Sequence, residues 1–221
     1  MERDFWISTW QAGKIGFHLG SVNPNLLAHH QVLRGTRVFV PLCGKSVDLT
    51  FLAQKGRQVV GVELSELAVT QFFDEQQLTP DVSRDGELTR YASGPITIFC
   101  GDLFALTPAQ LGRVDAFYDR AALVALPDEL RRRYVSHMAT LLPAPVVGLL
   151  VTFEYPQEQM SGPPFSVPQA LVRALYEPAF HVELRASRNI LGEEPRFADR
   201  GVTSLMERVY RITRSDEPTD G

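Results

Sequence analysis

The sequence predicts an α/β fold built on a mostly parallel sheet with an antiparallel edge at its carboxyl end and a helical amino-terminal extension. Two observations carry that prediction. The first is the stretch 37–75, RVFVPLCGKSVDLTFLAQKGRQVVGVELSELAVTQFFDE, which reads in one pass as strand, loop, helix, strand, acidic residue and helix. Such alternation implies right-handed parallel crossovers, with ligand received at the carboxyl ends of the strands. The second is a pair of β-patterned runs late in the chain, 181–186 and 205–213, expected to close an antiparallel edge.

The elements follow in order. Over 1–34 the chain reads as a helical prelude: Trp6 and Trp10 stand four apart on one helical face, Gly13 and Gly16 interrupt, and Asn23-Pro24 opens a second helix running to His30. Val38, Phe39 and Val40 form the first strand, Gly44 opens a turn, and 46–54 places Val47, Phe51 and Leu52 at helical spacing. The β-branched run 58–62 ends on Glu63. Ser65 is a candidate N-cap for a helix over 66–77 with Leu67, Val69, Phe72 and Phe73 turned inward, and Pro80 ends it. Ser93-Gly94 separates 87–92 from 95–100, a short hairpin added to the core, with 96–99 as the third core strand. Strands over 114–118 and 146–154 flank a helix over 128–142; a Pro- and Gly-rich loop at 157–168 leads to a helix at 169–176. No linker divides the 221 residues, so 1–221 is expected to be one domain, with 215–221 as a flexible polar tail.

Composition narrows the function classes. The formal net charge is −4 and the basic residues are scattered apart from Arg131-Arg132-Arg133, which is expected on a solvated helix turn. A nucleic-acid enzyme would need a basic face, so a small-molecule partner is favoured and no nucleic acid is expected. MERDFWISTW lacks the apolar core of a leader, and no run approaches the ~18 apolar residues of a membrane span, which points to a soluble, cytoplasmic chain. No exposed apolar stripe asks for a partner copy, so a monomer is expected. Cys43 and Cys100 are too few for a disulfide framework and read as small packing residues of a reduced interior. Without CxxC, HExxH or clustered histidines, no metal is expected.

Glu63 lies about twenty residues beyond the first loop, where a carboxylate can accept both hydroxyls of a ribose. The loop itself, Pro41 to Ser46, has one glycine where a dinucleotide fingerprint needs three. A nucleoside ligand without a pyrophosphate needs the ribose carboxylate but not that cradle, and S-adenosylmethionine is such a ligand. Two alternatives stay open: a nicotinamide-dependent oxidoreductase on the same sheet, against which the missing GxGxxG argues, and a non-catalytic nucleoside-binding module. Asp102, after Gly101, can accept from an adenine amino group or can cap the turn beginning at Leu103. Asp119-Arg120 ends the fourth strand; the guanidinium suits bidentate pairing with a ligand carboxylate or an ion pair with Asp119. By residue type alone Trp10 is better explained by core packing, and His18 by a local hydrogen bond.

PLCGK followed by VVGVELSE and FFDEQ, and then GDLFAL and YDRAALVALP, resembles the thiopurine S-methyltransferase family, including its bacterial members, over nearly the whole chain. The resemblance implies a Rossmann-like class I S-adenosylmethionine-dependent methyltransferase fold, with 1–34 as a cap over the cofactor site. It implies methyl transfer from S-adenosylmethionine to thiopurines and other aromatic or heterocyclic thiols, with S-adenosylhomocysteine as co-product. It assigns Trp10, Leu42 and Arg120 to the methyl donor beside Glu63 and Asp102, and Phe17 to the substrate. In PRFADRG it assigns Arg196 to the substrate side, with Arg200 as the alternative; either is a candidate for stabilising a thiolate, and the Pro- and Gly-flanked segment is a candidate lid. For bacterial relatives it also implies methylation of selenium or tellurium species as an alternative.

Overall fold

The computed structural model describes residues 3–214, so the tail expected over 215–221 lies outside the described residues. The chain falls into two compact units, Met1–Tyr118 and Asp119–Gly221.

The first unit opens with α1 (Arg3–Gln11) and α2 (Pro24–His29). Asn23 caps α2, its side chain accepting from the Asn25 N–H at 2.9 Å, and Pro24 takes the first helical position, where its missing N–H costs nothing. Then come β1 (Arg37–Pro41), α3 (Asp48–Gln54), β2 (Gln58–Glu63) and α4 (Glu66–Glu75). After Ser65, whose hydroxyl accepts from the Ala68 N–H at the start of α4, the chain continues into β3 (Asp81–Asp85), β4 (Leu88–Ser93), β5 (Ile96–Cys100), a short α5 (Pro108–Leu111) and β6 (Ala116–Arg120). β1 pairs in parallel with β2 and β6, and β2 with β5; β4 runs antiparallel to both β5 and β3. The strand order in this unit is therefore 3-4-5-2-1-6. From β1 the chain builds outward through β2 and β5 and then returns to the other side of β1 with β6. That reversal is the switch point at which an open α/β sheet receives a ligand. Register aligns Pro41 with Val62 and Glu63 with Cys100, so the ends of β1, β2 and β5 share one rim.

The opposite end of the sheet is fastened by Asp115. Its carboxylate accepts from the N–H groups of Thr36 (2.7 Å) and Arg37 (3.0 Å), tying the entry of β1 to the entry of β6, and these bonds hold it below the usual carboxylate range. Gly35 is needed beside it, because a Cβ there would sit 2.2 Å from the Cβ of Asp115.

Three expectations for this unit are corrected. The third helix begins at Asp48 rather than 46, since Ser46 turns its hydroxyl to the Asp48 N–H at 3.2 Å. α4 ends at Glu75, two residues early, where the chain leaves the helix and Gln77 adopts φ 55°. Leu67 is 37% exposed, and Ala68 joins Val69, Phe72 and Phe73 on the inner face. Leu67 and Val69 stand roughly 200° apart around a helix axis and cannot share one side. Strand β3 was not expected at all: DVSRD carries no apolar alternation and is held to β4 through its backbone as a charged edge.

The second unit contains α6 (Asp128–Leu141), β7 (Val146–Glu154), α7 (Gln169–Tyr176), β8 (His181–Asn189), α8 (Pro195–Ala198) and β9 (Met206–Arg214). The last strand in sequence, β9, lies between β7 and β8 and is antiparallel to both, giving the expected antiparallel edge. β8 runs three residues beyond the expected 186 and accommodates an irregularity between Leu184 and Ala186. Arg131 corrects another expectation: it is 3% exposed, paired with Asp128 at 2.6 Å, its guanidinium 5.5 Å from the centre of the Phe165 ring. It shares the buried face of α6 with Tyr134, Val135 and Met138, whereas Arg132 and Arg133 are exposed as expected.

The close approach of β2 to the loop after β1 is directly testable. A Cβ on Gly61 would lie 2.7 Å from Cys43 Sγ and 3.3 Å from Leu49 Cδ2. Gly61→Ala is expected to cost about 1–3 kcal/mol in urea unfolding, and adding Cys43→Ala to return part of it; a Gly61→Ala protein of unchanged stability would refute the packing account.

Candidate active site

At the rim of the first unit, the loop after β1 turns through two left-handed residues, Leu42 (φ 45°) and Gly44 (φ 53°). For leucine that conformation costs on the order of 1–3 kcal/mol and persists only where the surroundings enforce it. Here the Cys43 N–H donates to Val62 O at 3.0 Å, and the Gly44 N–H donates to Glu63 Oε2 at 2.9 Å. The other carboxylate oxygen of Glu63 accepts from the Ser65 N–H at 2.8 Å. Glu63 is buried, and its main-chain oxygen in turn takes the Gly101 N–H at 2.8 Å. One residue thus joins the loops that follow β1, β2 and β5. Burial pushes its carboxyl up, while the N–H groups of Ser65 and Gly44 pull the other way.

Around this centre stand the residues expected from sequence. Trp10, 5% exposed, lies over the loop, with a Cβ on Gly44 falling 3.1 Å from its ring. Phe17 packs edge-on between Trp10 (5.6 Å between ring centres) and Trp6 (5.7 Å). Leu42 follows β1 directly. Asp102 is exposed on the same rim, and its carboxylate accepts from the Phe104 N–H at 2.9 Å, the capping role weighed from sequence. Trp10, Phe17, Leu42, Glu63 and Asp102 therefore all belong to the first unit's rim and its extension.

Two further residues here were not expected. Asp48 is buried and accepts from the Asn23 N–H at 2.8 Å and the Tyr118 hydroxyl at 3.1 Å, fastening the amino-terminal extension to α3 and to β6. Lys45, also buried, pairs with Glu75 at 2.6 Å and ties the loop to the end of α4. Nothing in the local pattern points to Asp48; for Lys45, a lysine inside an apolar loop was a signal that a partner was needed. Burial raises the Cys43 thiol well above its ordinary value, with the charge of Glu63 adding, and raises Cys100 to about 11. Both stay protonated near neutrality and suit packing rather than attack.

In the second unit Asp119 is fully buried at the end of β6. Its carboxylate accepts from the N–H groups of Ala122 (3.1 Å) and Leu123 (3.2 Å) and from the Tyr134 hydroxyl (2.7 Å). These donors account for its burial in place of the ion pair with Arg120 weighed from sequence. Arg120 follows, half-buried, and Ala121 takes φ 82°. Arg196 lies in α8 with Nε on Glu194 at 2.8 Å and its guanidinium 5.5 Å from the Phe197 ring centre. Arg200 is exposed, and its charge partly offsets the burial that raises Tyr155. The segment around them carries a buried anchor, Phe197, packed edge-on against Phe153 and Tyr155. Among the described residues no group of three or more His, Cys, Asp or Glu is placed to hold a metal ion, and no helix is long and apolar enough to cross a membrane.

The family model for thiopurine S-methyltransferase matches residues 1–215. The chain belongs to the thiopurine S-methyltransferase family. It is 47% identical to the thiopurine S-methyltransferase of Pseudomonas aeruginosa strain UCBPP-PA14, over 97% of this chain and 100% of that protein. It is 49% identical to the enzyme of that name from Shewanella woodyi, over 97% of this chain and 99% of the other. Among solved structures, an S-adenosylmethionine-dependent methyltransferase from Anabaena variabilis shares the fold at TM-score 0.66 and 14% identity, covering 96% of this chain and 94% of its own. A Burkholderia thailandensis 1,6-didemethyltoxoflavin-N1-methyltransferase, solved with S-adenosylhomocysteine, does so at TM-score 0.60 and 16% identity, covering 97% and 87%. Membership makes this chain a methyltransferase that uses S-adenosylmethionine and removes the oxidoreductase and binding-module alternatives. The residues fit that donor. Each Glu63 oxygen accepts one backbone N–H, and a carboxylate offers about four acceptor positions, so two remain for a pair of ribose hydroxyls.

Asp119 sets a pH dependence that a thiopurine S-methyltransferase family member need not share with an average soluble protein. Burial raises its carboxyl from 3.8 to about 6, opposed by the three donors. The folded protein keeps the proton where the unfolded chain has lost it, so the linked stability is complete below 3.8 and is lost as pH rises to about 6. At about 1.4 kcal/mol per unit, the loss is roughly 3 kcal/mol. Denaturant unfolding at intervals from pH 4 to pH 7 is expected to show this slope steeper in the native chain than in Asp119→Asn; equal slopes would assign the titration elsewhere.

Proposed function

We propose that this enzyme methylates the sulfur of thiopurines and other aromatic or heterocyclic thiols, releasing S-adenosylhomocysteine. The observation that carries the proposal is end-to-end identity of 47–49% with several proteins named thiopurine S-methyltransferase. When bound, S-adenosylmethionine supplies an already activated sulfonium methyl. The chain then has mainly to bind, align and exclude water. Glu63 would hold the ribose hydroxyls, Asp102 the adenine amino group, Leu42 the methionine side through its backbone, and Trp10 would place an aromatic face near the sulfonium, an attraction of roughly 0.5–2 kcal/mol. Arg120 keeps the donor-contacting role that the resemblance gives it. Phe17 would line the acceptor. Thiols on heteroaromatic rings ionise readily, so a general base is dispensable, and Arg196 or Arg200 would stabilise the thiolate with the remaining donors of its five-donor fork.

We further infer a cytoplasmic monomer working as one methyltransferase domain. Both described cysteines are free thiols, as a reducing compartment keeps them. Among the described residues the large exposed apolar side chains, Phe5, Leu27, Leu67, Val82 and Leu184, come from five different elements.

The deciding experiment follows S-adenosylhomocysteine formation with 6-mercaptopurine, against a control without acceptor, and extends to selenium and tellurium species as the next acceptors. Acceptor-dependent product with the thiopurine is expected; turnover with selenium or tellurium compounds alone would move the acceptor class. Glu63→Gln should weaken S-adenosylhomocysteine binding about 10–100-fold by calorimetry, the size of one charge-assisted hydrogen bond, and unaltered affinity would displace the ribose site. Arg196→Ala and Arg200→Ala separate the thiolate role: the functional arginine should lower kcat most for the least acidic thiols.

A further inference from the structure

We propose that Asp119 and Tyr134 are positioning residues for the methyl donor, acting through the backbone turn that presents Arg120. This inference rests on the reading of Arg120 as a donor contact and extends it to two side chains that touch no ligand.

The turn after β6 is a costly one. Arg120 is followed at once by Ala121 at φ 82°, a conformation that an alanine adopts only under constraint. The constraint is one carboxylate. Asp119 Oδ1 captures the N–H groups of both Ala122 and Leu123, three and four residues ahead, which obliges the intervening Arg120 and Ala121 to fold back over it. The same oxygen cannot set the plane of the carboxylate by itself. Its orientation is fixed from the other side by the Tyr134 hydroxyl, 2.7 Å from Oδ2 and carried on the buried face of α6. Asp119 and Tyr134 are both fully buried, so neither can be serving solvent. Burial and the charge of Asp119 raise the Tyr134 hydroxyl well above its ordinary value, so it remains a donor at any working pH.

A buried carboxylate is expensive, and an apolar strand end would have been the cheaper way to finish β6. What the carboxylate supplies that an apolar residue cannot is a rigid acceptor for two successive N–H groups, hence a single exit direction for the arginine beside it. A small displacement of a charged group is enough to cost an order of magnitude in binding.

A double-mutant cycle tests this, reading S-adenosylhomocysteine affinity by calorimetry and unfolding free energy without ligand. Tyr134→Phe keeps the ring and removes only the hydroxyl. It is expected to weaken binding about tenfold in the native chain and less than about twofold in an Arg120→Ala background, because the effect passes through Arg120. Ala121→Gly, whose backbone accepts φ 82° without strain, should restore most of the affinity lost in Tyr134→Phe. If Tyr134→Phe does not fold, Asp119→Asn enters the same cycle with the same expectation. Equal weakening in both backgrounds, or loss of stability with affinity unchanged, would overturn the positioning role. Arg120→Ala with native affinity would overturn the reading of Arg120 itself, and the two failures are thereby told apart.

Discussion

The site depends on a buried carboxylate that is bound by the backbone before it is bound by anything else. Glu63 takes one N–H from the turn after β1 and one from the turn after β2, and its carbonyl takes a third from the turn after β5. Three loops at the carboxyl rim of the sheet are thus referenced to one residue. The arrangement also accounts for the glycine in the loop: Gly44 can present its N–H to the carboxylate at φ 53° without the penalty a side chain would bring. Because the two N–H groups occupy only part of the carboxylate's acceptor capacity, the interaction that builds the loop leaves the group able to receive a ribose. Burial pushes the carboxyl toward neutrality, and the backbone N–H groups that build the loop oppose it.

The two units solve a common problem in the same manner. Each carries a non-glycine residue in the left-handed region immediately beyond a strand, Leu42 after β1 and Ala121 after β6. Strain of this kind survives only where hydrogen bonds over-determine it. In the first unit the bonds come from Val62 and Glu63; in the second they come from Asp119, itself held by Tyr134. Relaxed alternatives are within reach energetically, since the strain and the individual bonds are each of the order of 1–3 kcal/mol.

Legibility in the sequence follows the range of the interaction. Ser65 and Asn23 could be read as caps because they act on N–H groups two or three residues away. Glu63 could be read because strand length and the crossover fix where a strand ends, and a carboxylate at that point needs donors. Arg131 was misread: three successive arginines suit a solvated turn, but the first lies on the face of α6 that carries Tyr134, Val135 and Met138 and meets the Phe165 ring, far along the chain. Asp48 was opaque for the same reason, as its donors lie 25 and 70 residues away. Strand β3 was missed because an edge strand is held by its backbone, and its side chains carry no period. Which of Arg196 and Arg200 would meet a substrate is likewise a question of orientation, since Arg196 lies in α8 and Arg200 just beyond its end.

The amino-terminal extension shows how a segment outside the sheet becomes part of the site. Phe5, Trp6, Phe17 and Trp10 form a continuous edge-to-face series with ring centres 5.3, 5.7 and 5.6 Å apart, and its last ring rests on Gly44. Such pairs contribute about 0.5–1.5 kcal/mol each beyond their buried area, enough to make the series one mechanical piece. Its far end is fastened where Asp48 takes the Asn23 N–H, so the extension is pinned on both sides of the Phe17 turn. Phe17, proposed to line the acceptor, and Trp10, proposed to face the donor, therefore cannot move independently. A reaction whose main requirement is alignment of two bound molecules gains from a wall in which the two contacts are one packed unit.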